Sequence, residues 1–145
     1  MQEDVDLLVT YLHLAWASAR RNRPLVRCRF LLLAANEALS HQMNEIADFC
    51  RLEILRENPA HLVGRWDTLA QAQESSDWDA LVHQLRRRYS RERAEQLLDV
   101  LGIDLALEQA TYSSGEEYAA SLLGKSLEVL KEILRQVRES GESTE

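Results

Sequence analysis

The stretch FLLLAANEALSHQMNEIADFCRLEILRENP, residues 30–59, contains two apolar segments on either side of a mostly polar one, residues 40–44. Seven of its first ten residues are Leu or Ala. Its second part repeats apolar residues at helical spacing, at positions Ile46, Phe49, Cys50 and Ile54. The pattern predicts two antiparallel helices joined by a short turn. Pro59 marks the end of the second helix, because proline disfavours the helical conformation in the residue before it.

The composition favours a single helical domain. The chain has 145 residues, enough for one domain with a substantial core. Five Gly and two Pro are too few for the many turns of a sheet-rich fold. We expect one domain over residues 1–139 and a disordered tail over residues 140–145. No apolar run approaches the roughly 20 residues of a membrane helix, so we expect no membrane partner.

The order of start and stop signals predicts six or seven helices in antiparallel hairpins. Pro24 begins the second helix and Gly102 ends the sixth, while Ser76 and Ser90 carry capping signals. Asn58 caps a fourth helix that starts at Pro59, and Ser114 with Glu117 opens a long last helix that closes the bundle. The predicted spans are 4–21, 24–39, 43–57, 59–73, 77–89, the segment from Ser90 to Gly102, a less regular piece at 103–111, and 114–139.

Two segments resemble the tetratricopeptide repeat, a helical hairpin with small residues at fixed positions. Trp66, Leu69 and Ala70 read W-x2-L-A, and Ala80 follows near the start of the next helix. In residues 30–59 the matching positions are Leu31, Ala34, Ala35, Ala47, Ile54 and Pro59. A helical bundle without repeats is the alternative architecture.

The resemblance, which covers residues 28–90, implies stacked hairpins whose first helices line a groove for a partner peptide. Carried over by position, the groove-facing residues are Arg29 and Asn36 in one hairpin and Asp67 and Gln71 in the next.

The last helix carries a regular apolar pattern. Leu123, Leu127, Leu130, Leu134 and Val137 follow alternating spacings of four and three residues. This pattern is typical of a helix that packs on its own bundle or forms a short coiled-coil seam. We therefore expect either core packing or a dimer seam at these five positions.

No motif in the chain predicts catalysis, a metal or a cofactor. Glu37, His41 and Glu45 are spaced as metal ligands on a helix would be, but the predicted turn at His41 breaks their common face. Cys28 and Cys50 occupy apolar helical positions, which indicates two buried free thiols in a reducing compartment. A helical-bundle enzyme or metal protein, built from residues distant in sequence, is the second alternative for function.

Two arginine clusters, within residues 20–29 and 86–93, make a nucleic-acid-binding protein the first alternative. The charge distribution argues against it. Residues 95–145 hold 4 basic and 11 acidic side chains, which account for the whole formal charge of −7. We expect a cytoplasmic, non-enzymatic module that binds a peptide or helix of a partner protein, or a second copy of itself.

Overall fold

The structure, a computed structural model, describes the backbone of residues 4–143 and the side chains of residues 4–140. Over this range the chain forms nine α-helices, one short 3-10 helix and no β-strand. The prediction of an all-α fold is confirmed. The α-helices are α1 Asp6–Arg20, α2 Pro24–Ser40, α3 Asn44–Glu57, α4 Leu69–Ala72, α5 Ser76–Arg88, α6 Arg91–Leu101, α7 Leu105–Gln109, α8 Gly115–Leu122 and α9 Leu127–Ser143.

Helix α1 lies at the centre of the fold. Every residue from Leu7 to Ala15 is buried, so all faces of the helix are covered over more than two turns. Helices α2, α6 and α8 pack around it. Its buried polar side chains are bonded: the Thr10 hydroxyl donates to the carbonyl of Asp6, and His13 Nε2 lies 2.7 Å from the Tyr118 hydroxyl. No helix within residues 4–143 is long and apolar enough to cross a membrane.

Helix α2 packs against α1 on one side and α3 on the other. The turn predicted within residues 40–44 is confirmed, since α2 ends at Ser40 and α3 begins at Asn44. Gln42, in this turn, has φ 57°, and Asn22, in the turn before α2, has φ 58°. Asn is one of the residues that adopt this left-handed conformation most readily, and Gln lacks the β-branch that disfavours it most. The contacts of α2 with α1 and with α3 are the most extensive between helices among the described residues.

The prediction of a helix over residues 59–73 is wrong. This segment contains only the 3-10 helix Leu62–Arg65 and the four-residue α4. Asn58 ends α3 and starts a turn: its Oδ1 accepts from the Ala60 N–H, and its carbonyl accepts from the His61 N–H. These local hydrogen bonds compete with those of a continuous helix. Residues 59–73 therefore form an irregular segment, called the strap below, that packs against α3.

The last helix, predicted to be continuous over residues 114–139, is broken. It forms α8 and α9 with a turn between them, where Gly124 has φ 84° and Ser126 Oγ accepts from the Val129 N–H. The break lets α9 turn back and pack against α3 as well as α8. Helix α9 runs to Ser143. The tail predicted to be disordered from residue 140 lies partly outside the described residues.

Short polar side chains start several of the helices. Ser90 caps α6 and Ser114 caps α8, as predicted, by accepting from the N–H groups of Arg93 and Glu117. Helix α5 is capped by Ser75 and not by Ser76, because Ser75 Oγ accepts from the Asp77 N–H.

A carboxylate on α3 fixes the strap. Asp48 Oδ1 accepts from the N–H of Leu69, the first residue of α4, at 3.1 Å. Burial raises the pKa of Asp48, although this hydrogen bond and the charges of Arg138 and Arg51 lower it. The folded protein therefore binds this proton more tightly than the unfolded chain does. The free energy of unfolding of the wild type therefore decreases as the pH rises from the ordinary carboxyl pKa, around 4, to the raised pKa of Asp48 in the folded protein.

We expect Asp48→Asn to be at least as stable as the wild type near pH 7, because asparagine keeps the accepting oxygen without the buried charge. Asp48→Ala leaves the N–H of buried Leu69 unpaired and should lower the free energy of unfolding by about 1–3 kcal/mol. Urea denaturation of both variants between pH 3 and pH 7, followed by circular dichroism, measures the difference. Equal destabilisation of the two variants would contradict this account.

Candidate partner-binding groove

A groove of about 330 Å³ runs between the start of α2 and the exposed side of α5. Helix α2 supplies one wall and α5 the other, and Asn58 and His61, in the segment after α3, also line the groove. The residues that line it are Leu25, Cys28, Arg29, Leu32, Asn58, His61, Leu81, Gln84, Leu85 and Arg88.

Buried aromatic contacts hold α5 in place beside α2. Only Trp78 and Val82 of α5 are fully buried, and the two side chains attach this helix to the core. At its end the Tyr89 ring lies 4.6 Å from that of Phe30, and the Tyr11 hydroxyl donates to the Tyr89 carbonyl at 2.5 Å. These contacts bring Arg88 to the same groove as Arg29, although 59 positions separate the two in the sequence.

The charged residues that line the groove are both arginines. Arg27, two positions before Arg29, is neutralised within the chain, since its Nη2 lies 2.9 Å from Oε1 of Glu53. Arg29 is half-buried and forms no ion pair with any carboxylate among residues 4–140. Arg88 is exposed and lies over the Tyr89 ring, 5.6 Å from its centroid. The groove lining therefore combines five apolar residues with two cations that no carboxylate of the lining offsets. The nearby charge of Glu57, outside the lining, acts on Cys28 in the groove wall.

His61 adds a hydrogen-bond donor. Its Nδ1 accepts from the Val63 N–H at 3.1 Å, and burial lowers its pKa. The ring is neutral near pH 7, and because Nδ1 is an acceptor, the proton lies on Nε2. Together with the two guanidinium groups, the groove offers donors to a bound molecule.

The two cysteines are free and buried, as predicted. Cys28 lies in the wall of the groove, and Cys50 is packed in the core. Burial raises the pKa of both thiols, that of Cys50 to about 12. Cys28 is therefore a protonated thiol near pH 7 and a poor nucleophile.

A second cavity, of about 250 Å³, lies at the start of α8 and is lined by Tyr112, Tyr118 and Ser113 among others. Its polar groups already have partners. The Tyr118 hydroxyl contacts His13, the Tyr112 hydroxyl contacts Ser121, and the Ser113 hydroxyl donates to Glu117. The three hydroxyl groups of this cavity are therefore hydrogen-bonded within the chain, whereas the two arginines of the groove form no ion pair among the described residues.

The structure brings only one of the four predicted groove residues to this site. Arg29 lines the groove, whereas Asn36, Asp67 and Gln71 do not. Asn36 is half-buried further along α2, and Asp67 and Gln71 are exposed on the irregular strap. Because residues 59–73 do not form a helix, the second pair does not share a helical face with the first.

The five predicted seam positions are divided between core and surface. Leu130 and Leu134 are buried in the chain's own core, and Leu123 and Leu127 are half-buried. Val137 is exposed, as is Val129 on the same helix. The buried leucines hold α9 against the rest of the protein.

The described residues contain no group of three His, Cys, Asp or Glu side chains that could hold a metal ion. His41 lies in the turn after α2, and so Glu37, His41 and Glu45 do not lie on one helix. The arginine clusters converge only in part: Arg29 and Arg88 line the groove, while Arg20 lies over the ring of exposed Trp16.

The sequence did not indicate the second wall of the groove. Leu81, Leu85 and Arg88 stand at spacings of four and three, which places them on one side of α5. The sequence contains this spacing, but Arg88 also belongs to a run of arginines. Only the tertiary contact of Phe30 with Tyr89 distinguishes Arg88 from the neighbouring arginines.

No protein-family model, no curated protein and no solved structure matches this chain.

Proposed function

We propose that the protein is a non-enzymatic interaction module that binds a short segment of a partner protein in the groove between α2 and α5. The observation that carries this proposal is a groove with four leucines in its lining, whose rim exposes Leu25, 65% accessible, beside a half-buried Arg29 that forms no ion pair. Exposed apolar surface next to unsatisfied polar groups is typical of a binding site. We further propose that α2 and α3 act as a tetratricopeptide-like hairpin and that the protein is cytoplasmic, which its two free thiols support.

The chemistry of the groove supports binding over catalysis. Cys28 is protonated and His61 is a neutral ring whose Nδ1 is already bonded to the backbone. A nucleophile needs an adjacent base within hydrogen-bond reach, and no hydrogen bond joins Cys28 to a base among the described residues.

A nucleic-acid-binding protein is the second candidate, because one arginine from each cluster lines the same groove. The formal charge of −7 opposes it. The described residues of the groove lining also include no Phe, Tyr or Trp, the large rings on which bases stack most extensively.

A second copy of the chain is an alternative partner. Leu130 and Leu134 are committed to the core, so a self-interface on α9 would use Val129 and Val137 instead.

Selection of a random dodecapeptide library on the full chain tests the proposal. Selected peptides should lose at least about tenfold in affinity for Gln84→Trp, which fills the groove from its exposed wall. Gln96→Trp places the same side chain on exposed α6 and is the matched control, for which affinity should be unchanged. Selection of no peptide, or equal affinity for both variants, would contradict the proposal.

A further inference from the structure

We infer that the segment bound by the groove is acidic, with carboxylates that meet Arg29 and Arg88 and an aliphatic side chain that enters between α2 and α5. This inference rests on the proposed function and names the chemistry of the partner. It depends on charge complementarity and on the shape of the groove.

The first support is the state of Arg29. A partly buried cation loses hydration, and a paired carboxylate normally offsets that loss. Arg27 has such a partner in Glu53, but Arg29 has none among the described side chains. An arginine presents a planar fork that suits a carboxylate in two parallel hydrogen bonds. A carboxylate from a partner would supply the ion pair that the chain itself does not.

The start of α2 adds to this positive field. The N-cap residue of α2, Arg23, makes no side-chain capping hydrogen bond, and the first turn holds no acidic residue. The first N–H groups of a helix and its dipole favour a nearby negative charge. Leu25, in this first turn, lies at the rim of the groove, and thus the dipole and Arg29 favour the same kind of ligand.

The apolar part of the groove selects an aliphatic side chain. Leu25 and Leu32 of α2 and Leu81 and Leu85 of α5 belong to its lining. Its volume of about 330 Å³ is at the lower end of the range for ligand pockets, roughly 300–1,000 Å³. The site can therefore hold a few side chains of a short segment and not a large surface.

The selected dodecapeptides provide the test. We expect them to be rich in Asp and Glu around a Leu, Ile or Met. Replacing every Asp and Glu of a selected peptide by Asn and Gln should weaken its binding at least about tenfold, measured by fluorescence anisotropy with the full chain.

The protein variants test the same contact from the other side. Arg29→Glu with Arg88→Glu should weaken binding of the acidic peptides at least about tenfold. Arg21→Glu with Arg87→Glu changes the net charge equally at exposed positions outside the groove, and it should leave the affinity within about twofold. Both pairs must first show wild-type circular dichroism. If Arg29→Glu with Arg88→Glu fails to fold, Arg88→Gln alone, at an exposed position, must still weaken the acidic peptide about threefold or more.

The outcomes separate the two proposals. Neutral peptides that bind wild type but not Gln84→Trp would overturn the acidic partner and leave the interaction groove intact. The absence of any selected peptide would overturn both. A single-stranded dodecanucleotide that binds more tightly than the peptides, and depends on Arg29 and Arg88, would also overturn the inference, since it would identify a nucleic acid as the ligand.

Discussion

Changing Leu130 to glutamate should destabilise the protein by about 4 kcal/mol or more, close to the whole stability of many domains. Leu130 is completely buried and lies on α9 where this helix packs against the rest of the fold. The substitution removes a large apolar side chain and places a carboxylate where water cannot reach it. Urea denaturation followed by circular dichroism measures the loss.

The neighbouring residue is the control. Val129 is 48% exposed on the same helix, and Val129→Glu should change the free energy of unfolding by less than about 1 kcal/mol. Light scattering behind size exclusion distinguishes core from self-interface. A Leu130→Glu protein that is as stable as the wild type, but has changed from dimer to monomer, would show that α9 is a dimer seam and contradict this account.

Trp78→Ala should cost about 3–5 kcal/mol, because it removes the largest side chain that attaches α5 to the core. Trp78 is 1% exposed, and its ring meets Trp66 edge to face at 6.2 Å. The same change should release α5 and remove one wall of the groove. We therefore expect the loss of peptide binding to accompany the loss of stability.

Hydrogen exchange and circular dichroism check this prediction. Amides of α5 should exchange faster in Trp78→Ala than those of α1, since α1 keeps its neighbours. Trp78→Phe retains a buried ring and should lose less stability. His83→Ala changes an exposed side chain of the same helix and should behave as the wild type. If α5 were equally protected in Trp78→Ala and in the wild type, this tryptophan would not hold the helix.

The helices with dense apolar patterns were predictable from local sequence. Helices α1, α2 and α3 end within a few residues of their expected bounds, because Pro24 and the turn at residues 40–44 act locally. The break in residues 59–73 was not predictable in this way. Asn58 is a good cap before a helix and a good turn former after one, and its bonds to Ala60 and His61 select the turn.

The break after Leu122 has a different cause. The heptad-like pattern runs through Gly124 without interruption, and so the apolar spacing alone predicts one helix. Gly124 at φ 84° and the Ser126 cap make a turn possible, and the burial of Leu130 against other helices stabilises it. Tertiary packing therefore decides this boundary.

The candidate site was predictable only in part for a related reason. The resemblance to a tetratricopeptide hairpin identified Arg29, but the residues of α5 that line the same groove depend on how two helices dock. Their contact is fixed by Phe30, Tyr89 and Tyr11, which lie far apart in the sequence. Periodicity gives the buried face of each helix but not which face meets which.

The most direct test of the groove is a methyl NMR titration of the full chain with a selected acidic peptide. We expect the largest chemical-shift changes on the methyl groups of Leu25, Leu81 and Leu85, and no change on those of Val129 and Val137. Changes that cluster on the valines of α9, or on methyl groups near Trp16, would place the binding surface elsewhere and contradict the account.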